Sequence, residues 1–368
     1  MNNSILRRAF TLVELLVVVS IIVIVLTLAV PAFSAMLRSS ERSLAENQFR
    51  AGIAAGRDAA IQSEGGDGAA VFFFEPGGRM SIVPCVQVAT IRDRLAAVDP
   101  MTGENATDRD VFVPLANSEP VQLPIGWTVR GYAQAHSFDQ GAEDPNGWYD
   151  GMMWQGRAKV GNWVFPENGF YDHNAGDKGR SRQTFMVRFK KATGEIESAD
   201  RRTCLVIDVC PDDSFRSQPP WDEARLDRAE NLALIVRRLA TLVNDGRGTL
   251  DSDSRWLGDI ATDSVLTRPV TELALCEESK VAKALGFRGL NRVTNSLYDN
   301  DTTDPQLPAK TPTLDPDLIT GNLQPEDVID MINRWIEGRL EMNGQVVESD
   351  ARVFTFQYYA GQVEEIAP

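Results

Sequence analysis

The segment Arg7-Arg8-Ala9-Phe10-Thr11-Leu12-Val13-Glu14-Leu15-Leu16 opens an apolar run that continues to Val30 and meets Pro31. Thr11, Glu14, Ser20 and Thr27 are its polar interruptions. A helix of that length spans about 30 Å, the thickness of the hydrocarbon core of a bilayer. Arg7 and Arg8 precede the run, so the positive-inside bias keeps the N-terminus on the cytoplasmic side and exports the rest, although Arg38 and Arg42 on the far side oppose it. A cleaved secretory leader has an apolar region of about 7–15 residues ending in small residues, whereas this run is longer and leads into more helix. Glu14 is the anomaly. An ionisable group inside a span costs roughly 2.5–3.5 kcal/mol on insertion scales and calls for a neutralising partner. The competing reading is a plain signal anchor, with Glu14 tolerated near the interface.

Arg8 through Leu16 resembles the type IV prepilin processing motif Gly-Phe-Thr-Leu-x-Glu. The resemblance implies that prepilin peptidase cuts on the cytoplasmic side between Ala9 and Phe10, methylates the new amine of Phe10 and leaves the apolar helix attached. Counting from Phe10, Glu14 is fifth and Pro31 twenty-second, both positions where pilins carry those residue types. Ala9 stands where the family pattern has glycine, and its small side chain is compatible with cleavage. In the family's logic, the Phe10 amine of one subunit meets the Glu14 carboxylate of its neighbour. That pairing offsets the burial of both charges and penalises a subunit one step out of place. Glu14 and Pro31 are therefore the expected assembly residues.

Pro31 removes one backbone donor and is expected to kink or open the helix without ending it. Beyond it, Phe33, Leu37, Leu44, Phe49, Ile53, Ala60 and Ile61 recur at roughly helical spacing until Gly65-Gly66, which predicts an amphipathic stalk. The stretch from Glu46 to Gln62 resembles the stalk helix of GspH/FimT-type minor pseudopilins. Ala70–Phe74 and Met80–Val83 flank Pro76-Gly77-Gly78 as a hairpin. Gln183–Phe189 and Arg202–Val209 bracket a turn at Thr193-Gly194 as a second one. Gly126 to Gly179 reads as short strands with long loops. After Pro211-Asp212-Asp213, Leu232, Ile235, Val236, Leu239, Leu242 and Val243 trace one helix face. Val328, Met331, Ile332, Trp335, Ile336 and Leu340 trace another, opened by Pro325 and closed near Gly344, and Val353–Tyr359 is a final strand.

The expectation is an α+β fold: a long N-terminal transmembrane and stalk helix packed on an antiparallel, pilin-like β-sheet head, with a C-terminal module of helices plus a strand. Its expected divisions are a leader (1–9), the helix (10–64, with 10–30 in the membrane and 31–64 as stalk), the head (65–212) and the extension (213–368). The resemblance covers about half of this. It implies a single-pass protein of the bacterial inner membrane with a periplasmic head, later part of a pilus or pseudopilus. Its implied partners are prepilin peptidase, other pilins, the assembly platform and membrane lipid. A bulky head packs poorly in a repeating shaft, which points to a minor, tip-like subunit.

The net charge of −15 repels a phosphate backbone and disfavours generic nucleic-acid binding. The local exception is Lys178-Gly179-Arg180-Ser181-Arg182, where Arg180 and Arg182 are candidates for DNA phosphates, as in FimT-like minor pilins, or for a solvated loop edge. Trp127, Trp148, Trp154 and Trp163 read as packing residues in preference to a base-stacking platform. No nucleophile elbow, phosphate loop or dinucleotide fingerprint occurs, and His136 and His173 cannot make a metal-binding helix motif, so no enzyme is expected. Cofactors are expected to be none. Asp251, Asp253, Asp299, Asp301 and Asp304 are weak calcium candidates that lack the glycine and distal Glu of an EF-hand. Cys204 and Cys210 are close enough in sequence for a disulfide, the alternative being buried thiols.

Overall fold

The computed structural model describes residues 12–63, 66–74, 78–93, 107–115, 118–134, 161–166, 183–197, 204–207, 264–299, 313–321, 323, 325–357, 361 and 363–366. The chain divides into two compact units, Met1–Asn47 and Gln48–Pro368. Helix α1 (Leu12–Gln62) supplies the described part of the first unit and enters the second. It runs through Pro31 unbroken.

In the second unit, β1 (Gly68–Phe74) and β2 (Met80–Asp93) form the expected hairpin, with Phe74 opposite Met80. Around them lie β3 (Thr107–Pro114), β7 (Gln183–Phe189), β8 (Cys204–Ile207) and β9 (Ser264–Pro269). The pairings run β1, β7, β9, β8, β3, β2 and return to β1, so six strands close into a barrel-like ring; β4 (Val121–Gln122) pairs with β2 at Ser81 and Ile82. Closure removes the free edges that an open sheet would present. Side chains alternate across each strand. One set, including Val71, Phe73, Val83, Cys85, Phe112, Met186 and Val206, forms a buried cluster.

The second sheet has the order β16 (Val363–Ile366), β15 (Arg352–Phe356), β10 (Glu272–Glu277), β5 (Trp127–Gln134) and β6 (Gly161–Val164). It packs on the other set of ring side chains. Phe72 stacks on Phe185 at 4.8 Å, Phe74 meets Phe165 edge-on at 4.9 Å, and a Cβ on Gly131 would lie 2.7 Å from the Phe185 ring. Within this unit α1 lies directly on β1 and β2: a Cβ on Gly56 would come 2.6 Å from the Ala70 amide nitrogen, and one on Gly52 2.7 Å from Ile82. Phe49 and Ile53 are buried, Phe49 against Phe354 at 4.9 Å.

On each outer strand of the second sheet a side chain takes up one main-chain group. Arg50 donates from Nη1 to the Val363 carbonyl on β16 at 3.0 Å. At the opposite edge, Asn333 Oδ1, on helix α3 (Pro325–Ile336), accepts the Trp163 amide of β6 at 3.0 Å. Such caps occupy groups that would otherwise recruit a foreign strand.

Several expectations are corrected. The head sheet is mixed: β3–β8 and β7–β9 run parallel. The second hairpin does not form, because β9 inserts between β7 and β8; the turn at Thr193-Gly194 instead folds back only to a bridge from Phe189 to Ile196. Strands from both sides of residue 212 interleave in both sheets, so a head of 65–212 and an extension of 213–368 are not how the sheets are built. Helix α3 ends at Ile336, before Gly338 at φ 65°. Asn343 and Gly344, at φ 53° and 76°, instead make the two-residue turn between β13 (Glu341–Met342) and β14 (Gln345–Val346). On the stalk, Phe33, Leu37, Leu44 and Ile61 are exposed, so the helical periodicity overstated the covered face. The expected helix across Leu232 to Val243 lies outside the described residues.

Candidate assembly site

From Leu12 to Leu26 the described large apolar side chains of α1 are open: Leu12 is 80% exposed, Leu16 60% and Ile24 60%. Such a surface is unstable in water and stable in lipid or against other helices. The helix is long and apolar enough to cross a membrane, with none of its apolar stretch buried. Its internal hydroxyls are satisfied by the helix itself. Ser20 Oγ donates to the Leu16 carbonyl at 2.8 Å, and Thr27 Oγ1 reaches the Val23 and Ile24 carbonyls at 3.0 and 2.8 Å. Just beyond, Ser34 Oγ donates to the Val30 carbonyl at 2.9 Å. A bilayer imposes this requirement because it offers no water to bond to. Pro31 contributes no amide to the Thr27 carbonyl, which leaves one local break in the ladder.

Glu14 is on α1, between Leu12 and Leu16. Ala9 and Phe10 lie outside the described residues, as do Arg180, Arg182, Cys210, Asp251, Asp253, Asp301, His136, His173, Trp148 and Trp154. Asp299 is in β11 (Tyr298–Asp299), paired with Thr313 of β12 (Thr313–Leu314). Among the described residues no group of three His, Cys, Asp or Glu side chains gathers to hold a metal. Cys204 is a buried thiol that accepts a long hydrogen bond from Arg188 Nη1 at 3.8 Å. Trp127 and Trp163 are buried, Trp163 against Tyr132 at 5.1 Å, as packing residues.

Two buried ionic clusters had no forecast in the sequence. In the first, Arg188 Nη2 lies 2.8 Å from both Asp67 and Asp110, and Thr90 donates to Asp110 at 2.6 Å. In the second, Glu278, at the start of α2 (Glu278–Ala284), accepts from Thr128 at 2.6 Å, from Arg130 Nη2 at 3.1 Å and from the Leu297 amide at 3.3 Å. Burial works to lower the Arg130 pKa, and the adjacent Tyr298 and Glu278 more than offset it, so the guanidinium stays charged. The available signal was an arginine on a strand otherwise rich in apolar and β-branched residues, which requires a buried partner. Nothing in the local sequence names that partner.

No curated protein and no solved structure matches the chain. Residues 6–30 match the family model described as the prokaryotic N-terminal methylation motif. That motif, at the head of an exposed apolar helix able to cross a membrane, indicates a type IV pilin-like or pseudopilin precursor.

Proposed function

We propose that this chain is a structural subunit, minor and tip-like, of a type II secretion pseudopilus or type IV pilus. Prepilin peptidase removes Met1 through Ala9 and methylates Phe10; the subunit then waits in the inner membrane with its N-terminus cytoplasmic and its GspH/FimT-type head periplasmic. It leaves the bilayer by packing its helix among those of other pilins on the assembly platform, with Glu14 taking the Phe10 amine of a neighbour. It acts by assembly, without catalysis or cofactor. The observation that carries the reading is the exposed apolar helix within the stretch that matches the methylation motif, its Ser20 and Thr27 hydroxyls satisfied internally.

The test is intact-mass analysis of the protein co-expressed with and without a prepilin peptidase, for wild type, Ala9→Gly and Glu14→Ala. The expected product lacks residues 1–9 and carries one extra methyl group. Ala9→Gly should be processed at least as completely, and Glu14→Ala should be cut yet fail to enter filaments. Wild type and Ala9→Gly both emerging at full mass would leave a signal anchor.

A further inference from the structure

Leu12 to Val30 already measures about 28 Å at 1.5 Å per residue, close to the thickness of a hydrocarbon core. The apolar surface of α1 does not stop there. Phe33 is 62% exposed, Met36 71% and Leu37 49%, and along the helix axis they lie about 4, 9 and 10 Å beyond Val30. At about 100° per residue these three fall within an arc about 100° wide, which Ser40 and Leu44 continue. Ala35, Arg38 and Arg42 occupy the opposite side, with Ser34, Ser39 and Glu41 on the flanks.

The headgroup layer adds roughly 5–8 Å on each side of the core. An upright α1 would carry Met36 and Leu37 past that layer into water, which apolar surface avoids. A lean of about 40° toward the arc lowers them to about 7 and 8 Å above the core and turns their side chains down into the layer. The opposite side suits the layer too. Helical side chains tilt toward the N-terminus, here toward the membrane, and the long stems of Arg38 and Arg42 can bring their guanidinium groups to lipid phosphates. Among the described residues neither arginine has an ion-pair partner. They are also the two cations that oppose the positive-inside bias, and a phosphate layer gives them a place. Glu41 is the one opposing charge between Pro31 and Leu44.

We infer that α1 makes a second, one-sided lipid contact beyond its span: Phe33, Met36 and Leu37 lie in the headgroup layer of the leaflet from which the chain emerges, while Arg38 and Arg42 hold its phosphates. This rests on the reading of α1 as a membrane helix and deepens it, because it fixes the side toward which the waiting subunit leans.

The test uses the full chain in phosphatidylcholine vesicles containing phosphatidylglycerol. Nitroxide labels are placed on single cysteines at Phe33→Cys, Ser34→Cys, Ala35→Cys, Met36→Cys and Leu37→Cys, with oxygen and a nickel chelate as collision partners. The unsubstituted chain treated in parallel is the blank, its Cys85, Cys204 and Cys276 being buried. The ratio of oxygen to nickel collisions rises with depth in lipid, and it is expected several-fold higher at 33, 36 and 37 than at 34 and 35. Ser34 and Ala35 lie between Phe33 and Met36 in height, so depth alone cannot produce that alternation. Arg38→Gln with Arg42→Gln should lower the ratio at 36 and 37 several-fold; an unchanged ratio overturns the phosphate contact. A ratio falling smoothly from 33 to 37 marks an upright helix and overturns the inference. So does spin–spin broadening at 33, 36 and 37, which would put a second copy on the arc in place of lipid. A label at Val19→Cys judges the membrane reading separately: exposed to water, it defeats that reading, whereas buried in lipid beside a smooth profile, it defeats the lean alone.

Discussion

Replacing Glu278 by alanine tests what a buried charge contributes to this fold. Glu278 is fully buried and Arg130 is 2% exposed. Removing the carboxylate strips the acceptor from Thr128, from Arg130 and from the Leu297 amide together. Arg130 keeps the Tyr298 hydroxyl at 3.1 Å and the faces of Phe165 and Tyr298 at 5.1 and 5.4 Å. A cation over a ring in a dry site is worth about 2 kcal/mol, too little to replace an ion pair whose rupture costs about 3–5 kcal/mol. The expected loss for Glu278→Ala is therefore about 3–5 kcal/mol. Taking Arg130 to methionine as well removes the stranded charge and should return at least half of it. The assay is urea unfolding of the full chain in detergent micelles, followed by tryptophan fluorescence; Trp127 and Trp163 are buried in the same sheet. A loss below about 1 kcal/mol for Glu278→Ala, or a double variant no better than the sum of the singles, would refute the reasoning.

Gly56→Val should destabilise the second unit by about 1–3 kcal/mol in the same assay, because its side chain meets the backbone of β1, which cannot step aside. The thiol of Cys276 is pushed up to about 12, chiefly by burial, and that of Cys85 rises further for the same reason. Neither should react with iodoacetamide at pH 8 in the folded chain, while both should label fully in urea, as counted by mass spectrometry.

What was legible in the sequence was local. The span from Phe10 to Val30 announces itself by length and apolarity, and the Phe74 to Met80 hairpin by strand residues around Pro76-Gly77-Gly78; α1 is found from Leu12, and Phe74 is paired with Met80. Partnerships between distant segments were not legible. Nothing in Ser264–Pro269 says that it will separate β7 from β8, and Arg130 gives no hint of a carboxylate 148 residues away. Ring closure depends on the sum of many weak pairings, whereas a hairpin depends on one turn. The short separation of Cys204 and Cys210 was visible, whereas the approach of Arg188 to Cys204 is brought about by the fold. The methylation motif at residues 6–30 was readable because it is one unbroken stretch of sequence that no distant segment has to complete.

The closed ring also sets a timetable. Synthesis delivers α1, β1 and β2 early, but the ring lacks β9 until Pro269 has emerged, and Phe49 lacks its partner until Phe354 has been made. At about 5–20 residues per second, the roughly 300 residues between those two rings take on the order of 15–60 s. For the first part of that interval, until Phe165 and Phe185 have been made, the hairpin offers Phe74 and Phe72 without the rings that cover them. A nascent chain of this kind is vulnerable while the ribosome is still at work, and a truncation that removes β15 forfeits the partner of a residue translated three hundred codons earlier.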